Sequence, residues 1–251
     1  MAEQTQKRSH RRPPPVLITQ IDPRSAASEA YRMLRTNIQF AGLDQPARNI
    51  VFTSAGPGEG KTTSVANFAV VAAEAGSRVC LIDSDLRRPT LHRLFGLPNT
   101  SGLSTALLHG VPLADLAQPT ATPSLSILTS GPTPPNPAEL VGSKRMRELF
   151  ESAVGHFDLV LCDSPPVISV TDGIALAAQC DGVVMVIRVG AIAHEALRRA
   201  AEQIEAVKGR ILGVVLNSVD LRRDGYSYKY YRYYRAYQGY YNANGHQNGK
   251  K

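Results

Sequence analysis

Residues 55–62 read Ala-Gly-Pro-Gly-Glu-Gly-Lys-Thr, between a short apolar run, Ile50 to Ser54, and an Ala- and Val-rich stretch of helical length. No other feature constrains the fold as strongly. A glycine-rich turn that opens a helix leaves unpaired backbone N–H groups converging on one spot, where the helix dipole also favours an anion. Gly58 and Gly60 permit the tight path, Lys61 can reach the outer phosphates of a nucleotide, and the Thr62 hydroxyl suits Mg²⁺. The expected nucleotide contacts are therefore Gly56, Pro57, Gly58, Glu59, Gly60, Lys61, Thr62 and Thr63. Ala55 stands where the strict pattern has Gly. A chance Gly-rich turn is the competing explanation, and the strand before and helix after argue against it.

From Asn49 onward, short β-branched runs alternate with longer Ala- and Leu-rich segments. That alternation predicts an α/β fold of the P-loop NTPase type, a mostly parallel sheet with helices on both faces in a single domain. Strands are expected at Ile50–Ser54, Arg78–Asp83, Leu125–Leu128, Leu159–Asp163, Val183–Val189 and Leu212–Leu216. A helix over 25–40, with Ser25 or Ser28 as N-cap, precedes the first strand. The segment Thr129–Pro137, rich in Pro and Thr, reads as a surface loop. In such sheets ligands bind at the carboxyl ends of the strands. Two strands end there in acid: one in Asp83-Ser84-Asp85, another in Asp163. A single Asp at a strand end is commonly a cap or turn residue. Three beside a phosphate loop supply hard oxygen ligands and a base.

The formal charge of +7 is unevenly placed. Residues 1–15 carry four cations against Glu3, and residues 222–251 carry seven against Asp224, which leaves −2 for residues 16–221. The folded body is thus nearly neutral and its arms basic, which disfavours a nucleic-acid face built into the fold but leaves arms able to touch DNA or acidic lipid. The expected division is a basic arm at 1–22, a nucleotide-binding domain at 23–221 and a flexible, low-complexity tail at 222–251. That tail holds Tyr226, Tyr228, Tyr230, Tyr231, Tyr233, Tyr234, Tyr237, Tyr240 and Tyr241, nine of the ten tyrosines. The odd cysteine count (Cys80, Cys162, Cys180) and lack of metal-ligand spacing predict reduced core thiols. No apolar run approaches the length of a membrane helix, so a cytoplasmic protein is expected.

The phosphate loop, the Asp83-x-Asp85 pair followed by Leu86-Arg87-Arg88-Pro89, the Pro135-Asn136-Pro137-Ala138-Glu139-Leu140 loop, Asp163-Ser164-Pro165-Pro166 and the tyrosine cluster together resemble the bacterial tyrosine kinases of capsule and exopolysaccharide synthesis. Glu29-x-x-Arg32-x-x-Arg35 resembles that family's oligomer-forming helix motif, with a solvated helix carrying local ion pairs as the alternative. The resemblance implies a ring-forming homo-oligomer that transfers the γ-phosphate of ATP, with Mg²⁺, to its own tail, mainly between subunits. Lys61, Asp83, Asp85 and Asp163 are the implied catalytic residues, with Thr62, Asp85 and Asp163 around Mg²⁺ and Asp83 as the base toward tyrosine. Asn217 resembles the position that reads adenine, and Arg87 and Arg88 are candidates to contact phosphate or acceptor. The family also implies a separate membrane activator of the polysaccharide chain-length regulator type, which would recruit the protein to the inner face of the membrane. A tyrosine phosphatase and other protein substrates are further implied partners; no specific nucleic acid is expected.

The alternative is a partition-type ATPase or nucleotide-switched scaffold whose basic arms bind DNA or membrane. Those ATPases typically carry an extra lysine where Gly56 stands here, and Pro-Gln where this chain has Leu86-Arg87-Arg88-Pro89. Interleaved aromatic and basic residues in the tail could also stack on single-stranded nucleic acid. Each phosphate would add about −1.5 to −2 charges, so roughly three or four would cancel the tail's charge of +6.

Overall fold

In the computed structural model, residues 17–41 and 45–219 are described. Residues 1–16 of the expected basic arm and the nine tail tyrosines lie outside them; the arm's boundary at 22 is corrected, because Leu17 and Thr19 are buried and Ile18–Ile21 form a helical turn. Seven strands, β1 (Asn49–Thr53), β2 (Val79–Asp83), β3 (Gln118–Pro119), β4 (Leu125–Leu128), β5 (Leu159–Asp163), β6 (Gly182–Arg188) and β7 (Ile211–Asn217), form one sheet in the order β3-β4-β2-β5-β1-β6-β7. All neighbours are parallel except β3, which pairs antiparallel with β4. Six strands match expectation to within a residue or two. The seventh, β3, is two residues long, too short to leave an alternating signature.

Every residue of β1 and β2 is buried, which is why both read as continuous apolar runs. Alternate side chains feed two cores. Ile50, Phe52 and Leu81 meet α3 (Lys61–Glu74), together with Leu17 beside α1 (Ile18–Ile21) and Ile38 of α2 (Ala26–Ala41). Val51, Cys80, Ile82 and Cys162 meet the opposite layer, α5 (Leu103–His109), α6 (Leu113–Leu116), α7 (Pro137–Val141), α8 (Lys144–His156), α9 (Asp172–Ala177) and α10 (His194–Ala206). The short α4 (Leu91–Phe95) follows the loop after β2. Helix α3 is the central one: ten consecutive residues, Ser64 to Ala73, are buried.

Of the two candidate caps of α2, Ser25 holds the role. Its Oγ accepts the Ser28 N–H at 3.2 Å, whereas Ser28 is interior and donates to the Asp22 carbonyl at 2.7 Å. The preceding turn α1 was not predicted. It is pinned from a distance, because Asn67 Oδ1 on α3 accepts both the N–H and the hydroxyl of Thr19. The expected surface loop at Thr129–Pro137 is corrected at its start. Thr129 and Ser130 are buried, and Asn99 Oδ1 accepts the Gly131 N–H at 2.9 Å. Proline and threonine content marks irregular backbone, and side-chain partners distant in sequence bury it. All three cysteines are free, two of them buried in strands.

Candidate active site

The strand order sets three ends side by side: β1, which runs into the phosphate loop, then β5 ending in Asp163, then β2 ending in Asp83. Asp83 and Asp163 are in register across β2 and β5, and Phe52 of β1 is in register with Asp163. Residues some eighty positions apart in sequence thereby share one crevice.

The phosphate loop is shaped by its glycines and braced by two side chains. Gly58 and Gly60 have φ of 77° and 91°, in the left-handed region that favours glycine, and α3 begins at the next residue, Lys61. A β-carbon at Gly60 would sit 2.0 Å from Asn217 Nδ2 at the end of β7. That amide donates to the Glu59 carbonyl at 2.8 Å. The Glu59 side chain is 2% exposed; Oε1 accepts the Gly56 N–H at 2.6 Å and Oε2 accepts the Arg188 N–H at 3.2 Å. Its carboxylate thus ties the loop to β6, a bracing role that the motif alone does not distinguish from contact with nucleotide. Asn217 likewise holds the loop.

Around this loop the acids divide by environment. Lys61 Nζ lies 3.5 Å from Asp85 Oδ2, both side chains largely buried. Thr62 Oγ1 donates to Asp163 Oδ2 at 2.5 Å. Asp83 Oδ2 accepts the Thr90 and Leu91 N–H groups at 3.0 and 2.9 Å. Asp83 Oδ1 and Asp163 Oδ1 are buried with no hydrogen-bond partner among the described residues. Burial, reinforced by the Asp163 charge, pushes the Asp83 carboxyl up to about 8 against the pull of the two amides. Burial raises Asp163 less, to about 6, because the Lys61 ammonium and the Thr62 hydroxyl favour its charged form.

Two unpaired buried oxygens beside an ammonium and a hydroxyl from the first two residues of α3 fit an Mg²⁺–nucleotide. Among the described residues no group of three His, Cys, Asp or Glu could hold a metal alone. That suits Mg²⁺, which is bound through one or two carboxylates and completed by phosphate oxygens and water.

Other expected residues are more dispersed. On α2, Arg32 pairs with Glu29 at 2.7 Å and donates to the Pro23 carbonyl, the local ion pair that sequence left open as an alternative. Arg35 Nε is instead buried without a partner among the described residues. Tyr31, the one tyrosine outside the tail, packs against α3, and burial raises its phenol. Arg87 is taken up by Asp172, its Nε 2.9 Å from Oδ2 and its Nη2 3.1 Å from Oδ1, while Arg88 is exposed. Asp172 was not singled out by sequence, where it reads as an ordinary acid at a helix start. Among the described residues no helix is long and apolar enough to cross a membrane.

A family model described as ParA, NUBPL iron-transfer P-loop NTPase, matches residues 46–233. The tyrosine-protein kinase YwqD of Bacillus subtilis strain 168 is 43% identical over 215 residues, covering 86% of this chain and 90% of the relative. The tyrosine-protein kinase wzc of Salmonella typhimurium is 36% identical over 84% of this chain, and the match spans only 29% of that longer protein. Among solved structures, the kinase domain of the Escherichia coli tyrosine kinase ETK superposes with a TM-score of 0.79 at 33% identity, covering 88% of this chain and 86% of that domain.

Proposed function

This chain belongs to the ParA-type P-loop NTPases and to the bacterial tyrosine-protein kinases, and from that premise we propose that it transfers the γ-phosphate of MgATP to tyrosines of its own C-terminal tail, mainly between subunits. The observation that carries this reading is Asp83. It lies beside the phosphate loop, wholly buried, with Oδ2 held by two backbone amides and Oδ1 unpaired among the described residues. A kinase needs a group that orients an incoming hydroxyl and takes its proton. A nucleotide hydrolase uses such a group to orient water, and the nine tail tyrosines offer a phenolic hydroxyl in its place.

In the proposed reaction Lys61 and the loop amides hold the β- and γ-phosphates, offsetting charge on the transferring group. Thr62, Asp85 and Asp163 would hold Mg²⁺, which when bound neutralises charge on the phosphate oxygens. The tyrosine oxygen forms a bond to the γ-phosphorus, the bond from that phosphorus to the β–γ bridging oxygen breaks, and ADP leaves. The tyrosine proton passes to Asp83 Oδ1. A free phenol has a pKa near 10 and a free Asp near 4, so ordinary aspartate would accept that proton poorly. Asp83 therefore orients the hydroxyl and takes its proton only late in the reaction, once bonding to phosphorus has made the phenol more acidic. Asn217 is proposed to read adenine while it holds the loop.

The tail reading draws on composition. From Gly225 the tail has 27 residues, with an extended reach of roughly 90 Å, enough to enter a neighbour's site in a ring. Glu29, Arg32 and Arg35 are the proposed ring contacts. In wzc the matched portion is joined to a much longer chain; here we propose that a separate membrane protein, of the polysaccharide chain-length regulator type, supplies activation and recruitment from the cytoplasm to the membrane. The proposed role is control of capsule or exopolysaccharide synthesis and export. A tyrosine phosphatase and other substrate proteins complete the proposed partners.

The test is incubation with MgATP and phosphate mapping by mass spectrometry, with Lys61→Met and Asp83→Ala as controls. Tail tyrosines should be modified in the wild type and not in either variant. An unmodified tail, even with the activator's cytoplasmic segment present, defeats the reading; salt-dependent DNA binding by the same sample would then favour the partition-type alternative.

A further inference from the structure

Asp172 is fully buried at the first position of α9, and among the described residues its carboxylate has one hydrogen-bonding partner, Arg87. The pair is bidentate, with the Arg87 side chain 41% exposed and that of Asp172 0%. Stability does not account for such an arrangement. A buried ion pair is commonly matched or exceeded by apolar residues of similar volume, because withdrawing a carboxylate from water is costly. Geometry offers a better account.

Arg87 lies two residues beyond Asp85 in the loop after β2. On the other side, the N-terminus of α9 is seated against the loop that follows Asp163. A β-carbon at Gly173 would stand 2.8 Å from the Pro165 carbonyl and 3.0 Å from Val167 Cγ1. The same Pro165 carbonyl accepts the Thr53 hydroxyl at 3.0 Å, fixing this loop to β1. The chain of contacts therefore closes a ring: Asp85 loop, Arg87, Asp172, Gly173 against Pro165, and back to Asp163. Ser84 N–H donates to the Asp163 carbonyl at 2.9 Å, which ties the two loops at their base. The Arg87–Asp172 pair ties them farther along.

We propose that Asp172, acting through Arg87, is a positioning residue that sets the separation of Asp85 from Asp163 and thereby the affinity of the site for its divalent ion. Mg²⁺ demands near-ideal octahedral geometry at short distances, so a loop free to drift weakens binding steeply. Partners that orient metal ligands from outside typically account for 10- to 100-fold in metal affinity. The inference rests on the Mg²⁺–nucleotide reading of the site. It does not depend on which group accepts the phosphate.

The test uses the full chain with a fluorescent ADP, titrating Mg²⁺ for Asp172→Ala, Arg87→Ala and the charge-free double variant Arg87→Met with Asp172→Leu. The Mg²⁺ concentration at half-saturation should rise about ten-fold or more in each folded variant, while ADP affinity in chelator stays at the wild-type value. The double variant leaves no buried charge unpaired, so it tests geometry if a single variant fails to fold. Wild-type Mg²⁺ dependence in the folded double variant overturns the proposal. So does an equal loss of ADP affinity in chelator, which would mean general damage to the loop. Wild-type ADP binding that ignores Mg²⁺ would instead refute the underlying reading, separating the two failures.

Discussion

At the residue scale, the site works because neighbouring acids differ in surroundings. Asp163 has Lys61 and Thr62 beside it, whereas Asp83 has only backbone amides, so burial raises Asp83 further. The sign of the consequence follows. Both carboxyls have folded values above the unfolded value near 4, so their contribution to stability is whole below about pH 4 and is lost as pH rises through about 6 and about 8. The nucleotide-free protein should therefore melt at lower temperature as pH rises from 6 to about 8.5, and Asp83→Asn should flatten that fall. Thermal unfolding across pH with and without the substitution checks this; parallel curves would remove the argument. A second prediction concerns Gly60. Alanine there meets both a φ of 91° and Asn217 Nδ2 at 2.0 Å. Gly60→Ala should lose about 1–3 kcal/mol in denaturant unfolding and most nucleotide affinity. Adding Asn217→Ala removes the clash but not the strain, so it should restore only part of the loss.

At the element scale, α3 links the phosphate loop to the core. Its first residue is Lys61, and seven residues on, Phe68 packs against Phe52 of β1 with ring centroids 5.4 Å apart. Phe68→Ala should cost about 3–5 kcal/mol, read by chemical denaturation, and should weaken nucleotide binding because the helix start shifts with its body. An unchanged midpoint would mean that the opposite core layer alone holds the sheet. The element was legible in sequence: its Gly-rich start, length and Ala content identify a buried helix. Turn α1 was not, since it owes its place to Asn67, a residue 48 positions away from Thr19. The burial of Thr129 and Ser130 was missed for the same reason.

At the scale of the whole molecule, charge and assembly are the variables. Glu29 and Arg32 already pair within α2, their side chains 38% and 35% exposed, and such a local pair contributes little to the fold, roughly 0.3–0.5 kcal/mol. Replacing Glu29, Arg32 and Arg35 with alanine should therefore lower the mass of the assembly in light scattering while moving the unfolding midpoint little. A large stability loss with unchanged mass would assign the triad to the subunit instead. The tail gives a further prediction. With a charge of +6 over residues 222–251, about three or four phosphates should bring it to neutrality, and assembly size should fall beyond that point. Unchanged size at high phosphorylation would sink the idea.

Sequence by itself determined the parallel sheet, the phosphate loop and the identity of its acids. Periodicity, glycine placement and strand-end Asp residues are local properties, written within a few positions of one another. Which acids meet was decided by strand order, because only the sequence β2-β5-β1 brings Asp83, Asp163 and Lys61 into one crevice. Tertiary structure likewise gave Glu59 its bracing role and paired Arg87 with Asp172. Hydrogen bonds between loops far apart in the chain depend on packing, and no local pattern encodes them.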